Sequence, residues 1–243
     1  MWRREGVFKF LKDLLFPVYC YSCGQEGEWW CDECLQEYLK NSYLVLKCPY
    51  CGKKNQTGET CYRCEAVSFL DREVAFLFYQ SDEIVGRLIK SFKYSFAEEI
   101  REVWQKVVER RVGDILGLSE DCDDVLFQII PIPLHKKRMA ERGFNQAEII
   151  AHILSSKIGW PVLKDALKRV KKTDQQAHLS FLARRENIKN AFVWQGKESC
   201  PENIILVDDV FTSGATMQEA AQVLKCSGAR VVRGITLARG DFV

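Results

Sequence analysis

The 243-residue sequence lacks the features that define several large protein classes. No uninterrupted apolar run approaches the roughly 20 residues that a membrane-spanning helix needs. The apolar N-terminal stretch FKFLKDLLFP contains Lys12 and Asp13 and has no small-residue cleavage site, so it is a poor secretion signal. Low-complexity stretches are absent, and a hydrophobic content of 47% excludes a disordered chain. We therefore expect a folded, soluble protein of one or two domains, without a membrane span.

Two common nucleotide-binding motifs are also missing. No G-K-[ST] follows a glycine-rich loop, which excludes a Walker A site, and no G-x-G-x-x-G occurs, which excludes a dinucleotide-binding fingerprint. The net charge is only +2, yet residues 131–190 contain thirteen Lys/Arg, five Asp/Glu and all three histidines. This local excess favours a phosphate-rich ligand or nucleic acid, although a solvated basic surface would give the same pattern.

Eight of the eleven cysteines form four C-x-x-C pairs within residues 20–64. Disulfides are a poor explanation without a secretion signal, and four consecutive pairs argue against a thioredoxin-like redox site. Two C-x-x-C turns supply the four thiolates of a tetrahedral zinc site, so we predict one or two structural zinc ions. The sequence leaves open whether the pairs close sequentially or interleave. The predicted ligands are Cys20, Cys23, Cys31, Cys34, Cys48, Cys51, Cys61 and Cys64.

The composition changes near residue 70, where the cysteine pairs stop. We predict that residues 1–70 form a short N-terminal helix and a Cys₄-type zinc-finger module. The apolar face of that helix comprises Phe8, Phe10, Leu11, Leu14 and Leu15. In residues 71–243, predicted strands alternate with predicted helices. This alternation indicates an α/β fold, with a mostly parallel twisted sheet and helices on both of its faces. The predicted strands are 74–79, 125–130, 204–207 and 231–237.

The most informative segment, residues 204–216, reads I-I-L-V-D-D-V-F-T-S-G-A-T. Four apolar residues predict a strand whose carboxyl end carries Asp208 and Asp209, where open α/β sheets bind ligands. The following Thr/Ser/Gly-rich loop opens a helix and offers backbone N–H groups and hydroxyls to a phosphate. The two carboxylates would repel a phosphate but suit the vicinal hydroxyls of a sugar. A ribose bearing a 5-phosphate fits the segment better than the alternative, two solvated acids before a capped helix.

This segment resembles the phosphoribosyl pyrophosphate (PRPP) binding motif of the type I phosphoribosyltransferases at all thirteen positions. The resemblance implies that Asp208 and Asp209 contact the ribose hydroxyls and that Mg²⁺ accompanies PRPP. It also implies a reaction that displaces pyrophosphate from C1 of the ribose. The residues that it assigns to the 5-phosphate are Thr212, Ser213, Gly214, Ala215 and Thr216.

A second segment, residues 131–147, reads P-I-P-L-H-K-K-R-M-A-E-R-G-F-N-Q-A and follows a predicted strand. Arg138 and Arg142 are four residues apart, so a helical turn would direct both towards a diphosphate. A charged surface turn is the alternative. In sequence position the segment corresponds to the pyrophosphate-binding loop of the phosphoribosyltransferases. That correspondence implies roles in binding for Pro133, Leu134, Arg138, Arg142, Asn145 and Gln146.

A third segment, residues 168–192, is basic and rich in amides, which suits a lid that closes over a charged substrate. The candidate lid residues are Arg169, Gln176, Arg184 and Arg185. His178 is either a general base or an exposed histidine. An acceptor for ribosyl transfer would bind near Lys90, Lys93 and Tyr94, although this region has no recognisable base-binding signature.

Four features together resemble the ComF family of competence-related phosphoribosyltransferase-like proteins along the whole chain. They are the cysteine pairs, the P-x-P-L-x-x-x-R-x-x-x-R-G-F-N-Q run, T-x-x-Q-x-x-L with R-x-N downstream, and the PRPP motif. The resemblance implies a zinc finger followed by a type I phosphoribosyltransferase fold. It also implies a cytoplasmic role in DNA uptake during natural transformation, with single-stranded DNA and a helicase-like competence protein as partners.

Three functional hypotheses follow. The first is a PRPP-sensing component of the uptake machinery that binds single-stranded DNA. The second is an active phosphoribosyltransferase, a pentosyltransferase with an unknown nitrogenous acceptor, whose catalytic residues would be Asp208, Asp209, Arg138 and Arg142. The third is an interaction scaffold that depends on zinc and has a vestigial ligand site.

Overall fold

The computed structural model describes residues 17–80, 83–94, 97–117, 125–171, 186–196 and 198–240. The predicted N-terminal helix lies outside these ranges. The candidate lid residues Gln176, Arg184 and Arg185, and also His178, lie outside them as well.

Within the described ranges, helices and strands alternate as predicted. The helices are α1 (Asp32–Lys40), α2 (Ile84–Tyr94), α3 (Ala97–Leu116), α4 (Lys136–Arg142), α5 (Gln146–Ile158) and α6 (Ala215–Cys226). The strands are β1 (Val45–Leu46), β2 (Arg72–Phe78), β3 (Gln128–Pro131), β4 (Leu167–Arg169), β5 (Phe192–Trp194), β6 (Asn203–Phe211) and β7 (Val231–Arg239).

The main sheet in the described part of the chain has the strand order β1-β2-β7-β6-β3. The short strand β1 is antiparallel to β2, whereas the other three pairings are parallel. The predicted α/β fold with a mostly parallel sheet is thereby confirmed. Strands β4 and β5 form a separate antiparallel pair. They were not predicted, because their short segments were interpreted as part of a lid.

Strand β6, an inner strand between β7 and β3, is buried on both faces. Ile205 and Val207 pack in a core formed with α2, α3 and α5, while Ile204 and Leu206 pack in a second core with α6. Neighbouring side chains of a strand point to opposite faces, so a strand covered on both sides needs a continuous apolar run. Each of these four side chains contributes about 1.5–3 kcal/mol by leaving water.

Strand β6 is longer than the sequence predicted. Its parallel pairing with β7 continues past Val207 as far as Phe211, which lies opposite Arg239. Asp208 and Asp209 therefore belong to the last part of the strand and not to the loop after it. The backbone hydrogen bonds to β7 fix where both carboxylates leave the sheet.

The cysteine-rich segment is joined directly to this sheet. Val45 and Leu46 of β1 pair with Ala75 and Val74 of β2. The division into domains at residue 70 stays a prediction. No helix in the described ranges is long and apolar enough to cross a membrane.

Candidate functional site

A cavity of about 230 Å³ opens at the carboxyl edge of the parallel strands. Three segments that are far apart in sequence meet there: the end of β6 with the loop after it, the segment around α4, and β4. Pro133 is not among the residues that line the cavity. The predicted site residues that do line it are Leu134, Arg138, Arg142, Asn145, Gln146, Arg169, Asp208, Asp209, Thr212, Ser213, Gly214, Ala215 and Thr216.

The loop before α6 depends on Gly214. This residue caps the helix in the left-handed region, with φ of 71°. A Cβ atom at this position would lie 2.5 Å from the Phe211 ring and 3.0 Å from the carbonyl oxygen of Pro49. Glycine is therefore required both by the backbone conformation and by the lack of space. The N-terminal residues of α6, Ala215 to Met217, line the cavity, where the positive end of the helix favours an anion such as a phosphate.

The two aspartates at the end of β6 differ in their surroundings. Burial, and then the neighbouring charge of Asp209, raise the pKa of Asp208 to about 7. The Asp209 N–H donates to Asp208 Oδ1 at 2.9 Å. Asp209 instead forms an ion pair with Lys93 at the end of α2, with 2.9 Å between Oδ2 and Nζ. Although burial lowers the pKa of Lys93, the Asp209 carboxylate outweighs it and raises that pKa overall. Lys93 thus neutralises one of the two acids.

Helix α4 supplies two of the cationic groups of the cavity. His135 caps this helix by accepting the Lys137 N–H at Nδ1, and Gly143 ends it in the left-handed conformation. Arg138 and Arg142 lie one helical turn apart, and both line the cavity. The structure therefore places them as the spacing predicted, while their contact with a diphosphate stays a prediction.

The amides of Asn145 and Gln146 are used to build the loop itself. Asn145 caps α5 by accepting the Ala147 N–H, and its Nδ2 donates to the carbonyl oxygen of Ile132 at 3.1 Å. Gln146 Nε2 donates to the Phe92 carbonyl oxygen at 3.2 Å, and its Oε1 accepts from Arg142. Each NH₂ group carries two hydrogens, so one remains for a ligand. The main visible role of both residues is to orient the segment that carries the arginines.

Arg169 of β4 provides a third guanidinium group at the cavity. Its side chain is buried, and its central carbon lies 5.6 Å from the centre of the Phe192 ring. Burial, and then the charge of Arg138, lower the pKa of Arg169 to about 10, so it stays cationic at neutral pH. Three arginines on one small cavity form a site for an anion that carries several negative charges.

The four C-x-x-C pairs close sequentially into two clusters. Within each cluster the four sulfur atoms lie within 4.8 Å of one another. The sulfurs of Cys23 and Cys31 are 3.7 Å apart, and those of Cys51 and Cys61 are 3.8 Å apart. A tetrahedron with Zn–S bonds of about 2.3 Å has edges of about 3.8 Å. Both clusters therefore fit zinc. The first cluster is Cys20, Cys23, Cys31 and Cys34, and the second is Cys48, Cys51, Cys61 and Cys64.

Backbone N–H groups favour the thiolate form in both clusters. Burial raises the pKa of Cys20, but N–H groups directed at its sulfur outweigh this effect and lower the pKa to about 6. The same balance lowers the pKa of Cys48 to about 7. Thiolates are the form that binds metal, so each cluster holds one sulfur that is ready to coordinate at neutral pH.

Comparison with known proteins decides the family. No family model matches the chain. The chain is 41% identical over 240 residues to Competence protein F of Haemophilus influenzae. The matched region covers 97% of this chain and 89% of that protein. The chain belongs to the competence protein F (ComF) family. This ComF chain is also 28% identical to Competence protein ComFC of Bacillus subtilis, over 79% of this chain and 77% of that protein. It is 30% identical to the DNA utilization protein YhgH of Escherichia coli K12, over 93% and 99% of the two chains.

The structure is also similar to an adenine phosphoribosyltransferase from Leishmania tarentolae. The TM-score is 0.36 and the identity 12%, over 69% of this ComF chain and 91% of that chain. A likeness this weak carries no argument of its own. The fold class rests instead on the sheet order and on the β6–loop–α6 unit described above.

Proposed function

We propose that this ComF protein binds PRPP together with Mg²⁺ in the cavity at the carboxyl edge of the sheet. The observation that carries the proposal is the convergence of three kinds of group on one cavity: the glycine loop at the α6 N-terminus, the paired aspartates and the three arginines. Each matches a different part of the ligand, which carries a phosphate, a diol and a diphosphate.

In this arrangement the 5-phosphate of PRPP lies at the loop 212–216 and accepts from its backbone N–H groups. The ribose hydroxyls donate to Asp208 and Asp209 at the end of β6, and Arg138 and Arg142 bind the diphosphate. Mg²⁺ supplies positive charge to the diphosphate oxygens when it is bound. The Lys93 ammonium pairs with the Asp209 carboxylate at 2.9 Å and balances its charge beside the ribose position.

The direct test is calorimetric titration of Mg²⁺ and PRPP into the intact, zinc-loaded protein. Replacing both acids in an Asp208→Asn/Asp209→Asn variant removes two charged hydrogen-bond acceptors, each worth about 1.5–3 kcal/mol, so affinity should fall about 100-fold or more. Glu202→Gln, which changes an exposed acid outside the cavity, is the control and should bind as wild type does. Wild-type affinity in the double variant would contradict the proposed site. A folded wild type that does not bind PRPP would leave the zinc-dependent scaffold as the working hypothesis.

We further propose that the protein acts in DNA uptake in the cytoplasm and binds single-stranded DNA. The names of its relatives, competence proteins and a DNA utilization protein, support the first part. The exposed basic residues Lys136, Lys137, Lys168 and Lys171 lie in the two segments that contribute arginines to the cavity, which supports the second. Fluorescence anisotropy with an oligo-dT strand should show binding that weakens with salt, with a logarithmic slope of about −0.7 per phosphate contacted. Binding insensitive to salt, or none, would contradict it. A helicase-like partner would then be sought by co-purification with the zinc-loaded protein.

Turnover is a second candidate activity, favoured by the arginines around the diphosphate position. In ribosyl transfer the bond between C1 and the pyrophosphate oxygen breaks, and a nitrogen of the acceptor bonds to C1. Arg138, Arg142 and Arg169 would stabilise the negative charge that develops on the leaving pyrophosphate. Release of pyrophosphate in the presence of candidate acceptors measures this activity. Its absence with every acceptor, while PRPP still binds, would favour a sensing role.

A further inference from the structure

The second cysteine cluster touches the candidate phosphate loop, although the two are about 150 residues apart in sequence. Pro49 lies in the Cys48–Cys51 turn, and its carbonyl oxygen is one of the atoms that leave no space for a side chain at Gly214. Pro49 is buried at this contact. The backbone of a C-x-x-C turn therefore packs against the residue that caps α6.

A buried arginine makes a second connection between the cluster and the loop. Arg239, at the end of β7, donates from Nη1 to the Lys47 carbonyl oxygen at 2.7 Å and from Nη2 to the Cys48 carbonyl oxygen at 2.8 Å. It also pairs with the buried carboxylate of Glu73 at 2.6 Å. Its central carbon lies 4.6 Å from the centre of the Phe211 ring, the same ring that packs at Gly214. One side chain thus bridges the cluster and the residue at the end of β6.

A third connection runs through helix α6. Gln218 is buried in the first turn of this helix; its Oε1 accepts the Phe69 N–H at 2.8 Å, and its Nε2 donates to Ser68 Oγ at 2.9 Å. The Ser68 N–H in turn donates to the carbonyl oxygen of Cys64 at 2.8 Å. The last ligand of the second cluster is therefore connected by hydrogen bonds to the helix whose N-terminus forms the phosphate loop.

The first cluster has different neighbours. Tyr21, in its first C-x-x-C turn, hydrogen-bonds to Ser91 Oγ of α2 at 2.8 Å, and its ring lies 4.0 Å from the guanidinium carbon of Arg87 on the same helix. Among the described residues, none from 20 to 34 lines the cavity. This cluster packs on α2, which carries Lys93 to the Asp209 side of the cavity and not to the 212–216 loop, so it serves as a comparison for effects on that loop.

We propose that Gln218 and Arg239 are positioning residues through which the second Cys₄ cluster holds the phosphate loop in its binding conformation. Zinc at this cluster and ribose phosphate at the loop then strengthen each other's binding, because the coupling between two sites is reciprocal. Zinc at the first cluster has no such effect. The inference rests on the proposed function, since it concerns the same ligand site.

The first test measures the zinc-loaded, full-length protein at equilibrium with a competing chelator. Iodoacetamide alkylates cysteines that have lost their metal, and peptide mass spectrometry identifies which ones. With saturating ribose 5-phosphate, the alkylation rate of Cys51 and Cys61 should fall about five-fold or more, while that of Cys23 and Cys31 stays unchanged. Any chelation of zinc by the sugar phosphate itself would act on both clusters, so the difference between clusters is the informative quantity. Equal protection of both clusters, or of neither while the ligand binds, would overturn the inference.

The second test uses variants on α6. Gln218→Met keeps the size of the side chain but removes both hydrogen bonds, so affinity for ribose 5-phosphate should fall about five-fold while two zinc ions are retained. Gln218→Glu still accepts the Phe69 N–H and should recover much of the loss. Lys225→Met removes a bond from the far end of the same helix to Asp71 and should leave affinity unchanged. Wild-type affinity in a folded Gln218→Met protein would remove Gln218 from the proposal.

The two proposals fail in different ways. If calorimetry shows no binding of ribose 5-phosphate or PRPP to the wild type, the ligand site is wrong and the coupling is wrong with it. If the ligand binds without selective protection of Cys51 and Cys61, the site stands and the coupling alone is wrong.

Discussion

The two cysteine clusters have the same ligands and nearly the same spacing, but the chain uses them differently. The first contributes Cys20 to the larger core beside Trp30 and Leu35, and is linked to α3 by exposed ion pairs such as Lys106 with Glu28. The second is linked to the sheet by buried hydrogen bonds from Arg239 to the Lys47 and Cys48 carbonyl oxygens. It is linked to α6 by partly buried hydrogen bonds of Gln218 to the segment that follows Cys64. The two clusters thus offer the same four ligands in different surroundings, and we expect a bound metal to stabilise a different part of the chain at each.

This difference predicts which of the two clusters ligand affinity depends on. Loss of the first cluster should expose part of a core and reduce the free energy of unfolding, and should reach the cavity only through Lys93 of α2 and not through the 212–216 loop. Loss of the second should release the loop and the end of β6, and so reduce ligand affinity.

Arg239, the buried side chain that connects the second cluster to the sheet, should be the position at which a substitution lowers the free energy of unfolding most. Arg239→Met leaves the Glu73 carboxylate buried without its partner, which should lower the free energy of unfolding by about 3–5 kcal/mol in urea titrations. Arg230→Met removes a weak exposed pair with Glu202 and should cost less than about 1 kcal/mol. Similar losses in the two variants would contradict the view that the buried link matters.

Removing one ligand from each cluster should separate the two roles. Cys34→Ser and Cys61→Ser should each lower the zinc content by one ion per chain, measured by atomic emission. Of the two, Cys61→Ser should weaken binding of ribose 5-phosphate by about five-fold or more, and Cys34→Ser should leave it near wild type at a temperature where both are folded. Equal affinities in the two variants would show that the clusters do not differ in this way.

Two acids, Asp208 in the cavity and Asp32 in the segment of the first cluster, should respond to pH with opposite signs. The pKa of Asp208 is raised to about 7 in the folded state, so the fold favours its proton and loses stability as pH rises from about 4 through about 7. The free energy of unfolding of Asp208→Asn should therefore increase relative to wild type as pH rises. This advantage of the variant should be larger at pH 8 than at pH 5 by about 1 kcal/mol or more. Lys106 lowers the pKa of Asp32, so Asp32→Asn should lose stability at neutral pH and match wild type as pH falls below the folded pKa. Urea midpoints of both variants and of wild type at several pH values measure these stability differences. Differences of the same sign in the two variants would contradict the prediction.

The exposed ion pairs of Lys106, which connect the segment of the first cluster to α3, should affect the free energy of unfolding least. Lys106→Met removes ion pairs to Glu28 and Asp32, which are both well exposed. Such pairs contribute between 0 and about 1 kcal/mol, so the free energy of unfolding and the zinc content should change little. A loss above about 2 kcal/mol would show that the exposed ion pairs of the first cluster stabilise the fold as strongly as the buried connection of the second.

Much of the fold follows from local sequence patterns. The I-I-L-V run predicts a strand buried on both faces, and the C-x-x-C spacing predicts the metal sites. The β4–β5 pair was missed because each strand has only three residues, too few for a periodic pattern. The order in which the cysteine pairs close depends on how the connecting loops fold, which the spacing does not determine.

The predicted residues that line the cavity could be named from the sequence because they lie in short motifs. Lys93 was considered for an acceptor site, and its ion pair with Asp209 was not foreseen, because 116 residues separate the two. Arg239 and Gln218 carry no local signal either. Their partners Glu73 and Phe69 lie 166 and 149 residues away, and only the folded sheet brings them together.

The most direct test of the account is a backbone amide NMR titration of the zinc-loaded protein with ribose 5-phosphate. We predict large shifts for the amides of Gly214, Ala215 and Thr216, smaller ones for the Cys51–Gly52 turn of the second cluster, and none at Gly24 in the first. Shifts confined to the loop would keep the ligand site and contradict its coupling to the second cluster. Shifts elsewhere, or none at saturating ligand, would contradict the ribose-phosphate site itself.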